Sequence, residues 1–253
     1  MTRQAPTSLP LGFIGYGDES LTDQAIAYSA AVFSVGRHAE AEAVLSKAKR
    51  SVGLTDGDRI HCKSMFGNDA RRKTCWGKVS PEKITWMIEQ LCDSLVEIQE
   101  RPISFVMSRS RMRIAPLEAE ERPTLLEGKG IASMGCMAVF TALIERYGYG
   151  AIDLWIDPDA TKIPWFDGKK KQAQNTRGNF IDLGPHIEPP RISPQIGTPE
   201  IHHLLEIADL YAYISAQSAA AQGGWRSQWW LERFRTINPE ILRFKPASGT
   251  NLT

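Results

Sequence analysis

The chain of 253 residues is long for one domain and short for two, which favours one domain with an appendage. Its composition, 42% hydrophobic and 23% charged residues, is ordinary for a globular protein and excludes collagen, coiled coils and wholesale disorder. The formal net charge of +1 excludes the global basic field of a histone-like binder but leaves local basic patches open.

The sequence also predicts a cytoplasmic protein that is not inserted in a membrane. No apolar run approaches the roughly 18 to 20 residues of a membrane span, and residues 1–10 lack the basic start and apolar core of a signal peptide. The four cysteines include no C-x-x-C pair, so we expect buried thiols in a reducing compartment rather than disulfides or structural zinc.

The first part of the chain predicts three strands and one helix between the second and third strands. The strands are expected to pair in antiparallel directions. Residues 11–18 and 25–35 have the composition of strands joined by a short polar turn, which favours antiparallel pairing. An Ala- and Glu-rich helix is expected at residues 38–50, followed by a third strand at residues 58–65. A helix then begins after Ser80, which supplies an N-cap before a first-turn proline and a run of apolar residues at helical spacing.

The second part alternates strands and helices. Residues 103–107 predict a short buried strand, residues 131–147 a helix that is apolar on nearly all sides, and residues 151–157 another strand. A long Pro-rich and basic connection covers residues 158–199, in which residues 180–183 are the best candidate for a further strand.

A helix at residues 200–222 and an aromatic helix near the end complete the predicted elements. The order favours an α/β fold with a mixed sheet covered by helices, because crossovers impose parallel pairing and the initial hairpins do not. We divide the chain into a domain at residues 1–222 and a C-terminal helix and tail at residues 223–253. Trp225, Trp229 and Trp230 predict that the last helix packs on its own domain or on the second subunit of a homodimer; base stacking is the alternative.

Three groups of acidic residues emerge from apolar sequence. Asp18 and Glu19 follow the first strand, and Asp157 ends the strand at residues 151–157, where open α/β sheets hold their ligands. On the helix at residues 200–222, Asp209 shares an arc about 60° wide with His202, Glu206 and Tyr213, and small residues flank that arc. A solvated turn or a surface helix is the plainer interpretation of each group alone.

A cluster of these carboxylates would need a positive occupant, because neighbouring carboxylates raise one another's pKa. Mg²⁺ or Mn²⁺ suits a set of oxygen ligands without thiolates or several histidines. Two such ions can activate a water and stabilise the leaving oxygen when a phosphodiester is cleaved. A nuclease is therefore the chemistry that this pattern favours.

Four blocks in order resemble the domain-of-unknown-function 3800 family of bacterial and phage proteins. They are Asp18-Glu19-Ser20, I-H-C-K around His61, the strand ending at Asp157, and L-E-I-A-D-L-Y-A-Y at residues 205–213. Members of that family resemble ribonuclease-H-like proteins and are suspected metal-dependent nucleases. The resemblance covers most of the chain and implies a ribonuclease-H-like mixed five-stranded sheet flanked by helices.

The resemblance also implies the site residues. Asp18, Glu19, Asp157 and Asp209 would be the catalytic and metal-binding acids, and His61 the general base, proton shuttle or accessory ligand. The sequence departs from the family at two places, with Leu21 where glycine is common and Glu206 where glutamine is common.

Local basic patches are the candidate nucleic-acid contacts. Six cations form this predicted set: Lys63, Arg109, Arg111, Lys169, Lys170 and Lys171. Contacts from such side chains to backbone phosphates orient a nucleic acid without reading its sequence. A solvated strand edge and a polar loop are the plainer interpretation of these charges.

Two other functions remain open from the sequence. One is a catalytically silent domain that binds nucleic acid or a protein partner within a phage or defence system, with structural acids. The other is a phosphatase that acts on small nucleotides and shares the metal chemistry. Metal titration separates the first from a nuclease, and a phosphomonoester substrate separates the second.

Overall fold

The structure is a computed structural model, and it describes most of the chain in separate stretches. The described residues are 12–22, 25–108, 125–148, 150–156, 172–174, 180–182, 194–220 and 225–242. Within these stretches, no helix combines the length and the apolar character that crossing a bilayer requires.

Three antiparallel strands form the centre of the sheet. Strand β1 (Phe13–Leu21) pairs with β2 (Ala25–Ser34), and β2 pairs on its other edge with β3 (Glu100–Ser108). Thr22 closes the turn between β1 and β2, because its hydroxyl donates to the carbonyl of Ala25 at 2.9 Å and accepts from its N–H at 3.0 Å. The predicted antiparallel hairpin is confirmed.

Two further strands extend the sheet in parallel from β1. Strand β4 (Ile152–Ile156) lies parallel to β1, and the short strand β7 (Gln195–Ile196) lies parallel to β4. Between β4 and β7 along the chain, β5 (Gln172–Gln174) and β6 (Phe180–Asp182) form a separate antiparallel pair. The candidate strand at residues 180–183 is thus present, outside the main sheet.

The strand order of the main sheet is β7-β4-β1-β2-β3-β8, where β8 (Glu240–Leu242) lies parallel to β3. Three antiparallel strands followed by two crossover-connected strands is the ribonuclease-H-like arrangement that the sequence predicts, and this fold class is confirmed. The sheet has six strands, one more than expected. Strands β7 and β8 lie in the predicted connection and the predicted tail, and the strand predicted at residues 58–65 is not part of the sheet.

Helices cover both faces of the sheet. One face carries α1 (His38–Ser51), α4 (Pro81–Leu95), α6 (Leu205–Ala219) and α7 (Trp225–Ile237). The other face carries α5 (Leu125–Tyr147), which is apolar around its circumference, as expected for a helix that packs inside the fold. Side chains of β2 alternate between the two cores that result.

The helix predicted after Ser80 is confirmed, and Ser80 is its N-cap. The Ser80 hydroxyl accepts a hydrogen bond from the N–H of Lys83 at 3.3 Å, and Pro81 occupies the first helical position. Its apolar residues, Ile84, Met87 and Ile88 among them, are buried against the core between α1 and α7. The local signals of capping and periodicity therefore suffice for this element.

The third predicted strand, at residues 58–65, is wrong. Residues 59–61 join no sheet, although the backbone of His61 is extended, and the chain then forms the short helices α2 (Cys62–Phe66) and α3 (Asn68–Arg72). The N–H groups of Ile60 and Cys62 donate to carboxylates of α6 instead of to a neighbouring strand. Strand β3 takes the third antiparallel place in the sheet.

Trp229 and Trp230 of α7 pack inside the domain. Trp230 meets the rings of Phe66 and Tyr213 edge-on, with centroids 5.1 and 5.2 Å away, and the latter two rings stack at 5.3 Å. The Trp229 indole donates to Glu89 of α4 at 2.6 Å. The prediction that these aromatics pack on their own domain is confirmed for Trp229 and Trp230. The predicted boundary at residue 222 falls in a stretch outside the described residues.

Candidate active site

Asp18 lies near the carboxyl end of β1, with its side chain toward α6. Only 7% of the residue is exposed, and its Oδ1 accepts a hydrogen bond from the N–H of Glu19 at 2.8 Å. Because side chains alternate along a strand, Asp18 shares the α6 face with Tyr16, while Glu19 starts from the opposite face. The adjacent acids therefore approach the edge of the sheet from its two sides.

Gly17, between Tyr16 and Asp18, allows a close approach at this point of β1. A Cβ atom there would lie 2.4 Å from the hydroxyl oxygen of Tyr28, which is buried under the sheet. Burial raises the pKa of the Tyr28 hydroxyl, and the charges of Glu19 and Asp18 add to that increase. The Tyr28 side chain thus packs closely against β1 at Gly17, next to Asp18 and Glu19.

Asp209 reaches the same region from α6. It is also 7% exposed, and its Oδ2 accepts a hydrogen bond from the N–H of Cys62 at 2.8 Å. Its neighbours Ala208 and Ala212 are fully buried, and α6 packs directly on β1 and β2. Small side chains beside an acid therefore bring this helix close to the sheet, as the sequence indicates.

The electrostatics place Asp18, Glu19 and Asp209 in one neighbourhood. Burial raises the pKa of Asp209 to about 6, and the charge of Glu19 adds to the increase, while hydrogen bonds from Cys62 and the charge of Arg59 oppose it. Burial also raises the pKa of the Cys62 thiol, and the charges of Asp209 and Asp18 both contribute. The charges of both aspartates thus act on one buried thiol, and Asp209 is also hydrogen-bonded to the backbone of that residue.

His61 and Lys63 lie on the segment that adjoins Asp209. His61 immediately precedes α2 and its Nδ1 lies 3.0 Å from the hydroxyl of Ser64. Burial lowers the pKa of His61, and the charges of Arg59 and Lys63 lower it further. Lys63 lies on α2 and is exposed, so the expectation that both residues belong to a strand is wrong.

Glu206 has a structural partner instead of a place among the converging acids. Its Oε1 accepts from the Lys49 ammonium at 2.8 Å, and its Oε2 accepts from the N–H of Ile60 at 2.7 Å. Both charged side chains are 2% exposed, so this is a buried ion pair between α1 and α6. The pair explains why an acid is accommodated at position 206.

Several predicted site residues lie outside the described residues. They are Asp157, Arg109, Arg111, Lys169, Lys170 and Lys171. The last described residue of β4, Ile156, lies opposite Gly17 of β1. The strand that leads to Asp157 is therefore adjacent to the strand that carries Asp18.

The candidate donors at this edge are all carboxylate oxygens, the type of ligand that hard divalent cations prefer. Among the residues that the structure describes, no three His, Cys, Asp or Glu side chains are grouped closely enough to hold a metal ion. Asp18 and Asp209 are the two buried members of the predicted set, and both lie within electrostatic reach of Cys62.

Three residues at or beside the site are absent from the sequence prediction. Cys62 contacts Asp209, Arg59 acts on Asp209 through its charge, and Lys49 neutralises Glu206. The alternation of Arg59, Ile60, His61 and Cys62 is a signal for an extended segment with one buried side. Lys49 carries no local signal, because its partner lies 157 residues away along the chain.

Solved ribonuclease structures align with this chain at low identity. The crystal structure of Bst-RNase HIII in complex with Mn²⁺ aligns with a TM-score of 0.45 and 11% identity, over 92% of this chain and 68% of that chain. A mutant protein of Bst-RNase HIII aligns with a TM-score of 0.42 and 12% identity, over 93% and 68%. No protein-family model and no curated protein matches the sequence. The strand order and directions define the fold independently of these alignments.

Proposed function

We propose that the chain is a divalent-metal-dependent phosphodiester hydrolase that acts on RNA or DNA. The observation that carries the proposal is the burial of two aspartates on packed elements, Asp18 of β1 and Asp209 of α6. Burial raises the pKa of Asp209, and a bound cation would stabilise its ionised form.

The proposed ligands combine the described acids with one from outside the described residues. Asp18 and Asp209 would hold Mg²⁺ or Mn²⁺, and Glu19 and Asp157 would complete the ligand set. When bound, such an ion lowers the pKa of a water molecule and stabilises the leaving oxygen of a phosphodiester. Carboxylate ligands suit these hard cations better than softer metals.

His61 is the proposed proton acceptor. Its lowered pKa favours the neutral imidazole at pH 7, the form that can accept a proton. Its neighbour Cys62 is hydrogen-bonded to Asp209, so the backbone segment that carries His61 adjoins this acid. His61 would accept a proton from the water that attacks the phosphorus, while the phosphorus–oxygen bond to the leaving oxygen breaks.

The proposed partner is a nucleic acid bound through its backbone. Lys63 is exposed on α2, next in sequence to the residue that contacts Asp209. Together with the predicted cations at positions 109, 111 and 169–171, it would contact phosphates, which position a strand without reading its bases.

The experiment that tests this function compares cleavage by the wild type and by Asp209→Asn. Fluorescently labelled RNA and DNA oligonucleotides are incubated with Mn²⁺, Mg²⁺ or EDTA, and products are resolved on denaturing gels. We expect cleavage by the wild type with either metal, none in EDTA, and none by Asp209→Asn. Asp69→Asn, which removes an exposed acid of α3, is the matched control and should cleave like the wild type.

Cleavage by Asp209→Asn at the wild-type rate would refute the assignment. A chromogenic phosphomonoester in parallel reactions separates a nuclease from a phosphatase, since only the latter would hydrolyse it rapidly. Binding of oligonucleotides without cleavage, and without Mn²⁺ binding by calorimetry, would establish the catalytically silent binder instead.

A further inference from the structure

The segment of residues 59–62 is anchored on both sides of Arg59. The Trp76 indole donates to the carbonyl of Arg59 at 2.9 Å. The next N–H groups donate to α6, from Ile60 to Glu206 at 2.7 Å and from Cys62 to Asp209 at 2.8 Å. Three hydrogen bonds within four residues therefore fix the backbone that carries Arg59.

The alternation of this extended segment separates a core side from an outer side. Ile60 and Cys62 are at most 1% exposed, whereas Arg59 and His61 are partly exposed. Because alternate residues of such a segment share a side, Arg59 and His61 both start from the side opposite Ile60 and Cys62. The proposed proton acceptor and an arginine thus line the same outer side of the segment.

The side chain of Arg59 starts from the segment that adjoins the acidic site, since the N–H groups of Ile60 and Cys62 donate to carboxylates of α6. Its Nε is buried and has no hydrogen-bond partner within the described part of the chain. The residue as a whole is only partly buried, so part of its side chain is open to solvent.

We propose that Arg59 binds a backbone phosphate of the nucleic acid beside Asp18 and Asp209. A guanidinium offers five N–H donors in a planar fork, which matches two non-bridging oxygens of one phosphate. The fixed backbone limits the conformational entropy that binding would cost. This inference rests on the proposed function and names the residue that holds the phosphate at that same site.

The test measures binding without any metal, so that cleavage plays no part. A fluorescein-labelled DNA duplex of 20 base pairs is titrated in EDTA by fluorescence anisotropy, over a series of salt concentrations. For Arg59→Ala we expect affinity about tenfold weaker, and a slope of log affinity against log salt reduced by about 0.9, the value for one lost phosphate contact. Arg59→Lys keeps the charge but loses the fork, so we expect an intermediate affinity with the wild-type salt slope.

Arg37→Ala is the matched control, because it removes one exposed cation that pairs with Glu40 at the start of α1. We expect it to bind like the wild type, and thermal unfolding verifies that each variant is folded. Wild-type affinity in Arg59→Ala would overturn the inference, as would the absence of binding by the wild type. A shifted pH profile of cleavage with unchanged binding would also overturn it, because Arg59 would then act only through Asp209.

The two proposals fail separately in these experiments. If the wild type binds the duplex through Arg59 but cleaves no oligonucleotide with Mn²⁺, the hydrolase is refuted and the phosphate contact stands. If the wild type cleaves and Arg59→Ala binds and cleaves equally well, the phosphate contact is refuted and the hydrolase stands.

Discussion

Asp209→Asn should change the pH dependence of stability in a predictable way. Burial raises the pKa of Asp209 from its ordinary value of 3.8 to about 6. The folded state therefore holds this proton more tightly than the unfolded chain, and the wild type loses stability as the pH rises from about 4 to about 6. Above about pH 6 the loss is complete and stays constant.

The size of the effect follows from the same two values. At about 1.4 kcal/mol for each tenfold change in proton affinity, the raised pKa corresponds to roughly 3 kcal/mol. Asparagine cannot ionise, yet its side-chain oxygen can still accept the hydrogen bond from the N–H of Cys62. We therefore expect the stability of Asp209→Asn relative to the wild type to rise by up to roughly 3 kcal/mol between pH 4 and pH 6.

Urea unfolding followed by tryptophan fluorescence measures this difference. Both proteins are unfolded in EDTA at a series of pH values from about 4 to 7.5, so that titrations independent of Asp209 cancel on subtraction. Asp69→Asn, measured in parallel, serves as the matched control because it removes an exposed acid of α3 instead of a buried one. A difference for Asp209→Asn that stays flat, or that falls as the pH rises, would refute the reasoning.

Three further substitutions test the packing around the site. Glu206→Gln should lower the free energy of unfolding, measured in urea, by about 3–5 kcal/mol because it leaves the buried Lys49 without its anion. Adding Lys49→Met to this variant should recover part of the loss. An unchanged free energy of unfolding in Glu206→Gln would contradict the buried pair. Gly17→Ala should lower the free energy of unfolding by about 1–3 kcal/mol, and by less in the Tyr28→Phe background. Equal losses in both backgrounds would contradict the close contact. Trp230→Ala should lower the free energy of unfolding, measured by thermal unfolding, by about 3–5 kcal/mol and leave nucleic-acid binding by the folded protein unchanged. Weaker binding would argue against a purely structural role.

Local sequence signals predict much of the fold. The hairpin of β1 and β2 follows from two apolar runs around a short turn, and α4 follows from the cap at Ser80 and its apolar period. The missed strands β7 and β8 have two and three residues and depend on pairing with β4 and β3, which lie far away along the chain. Such short strands are defined by their partners more than by their own composition.

The error at residues 58–65 shows how tertiary contacts override a correct local pattern. Ile60 and Cys62 are buried and their neighbours are not, as in a half-buried strand. Their N–H groups, however, donate to Glu206 and Asp209, which lie almost 150 residues further along the chain. The period of the side chains is detectable in sequence, whereas the destination of the backbone hydrogen bonds is not.

The acidic site is predictable only in part for the same reason. Asp18 and Asp209 stand out because each emerges from apolar sequence, and the fold buries both where α6 packs on β1. Arg59 and Lys49 look like ordinary surface cations until their distant partners are known.

The most direct test of the proposed metal-dependent hydrolase is a crystal of the wild-type protein soaked in Mn²⁺ and measured for anomalous scattering. The account predicts a peak within about 2.5 Å of carboxylate oxygens from both Asp18 and Asp209. A fully soaked crystal without a peak between these residues, or with manganese bound only elsewhere, would contradict it.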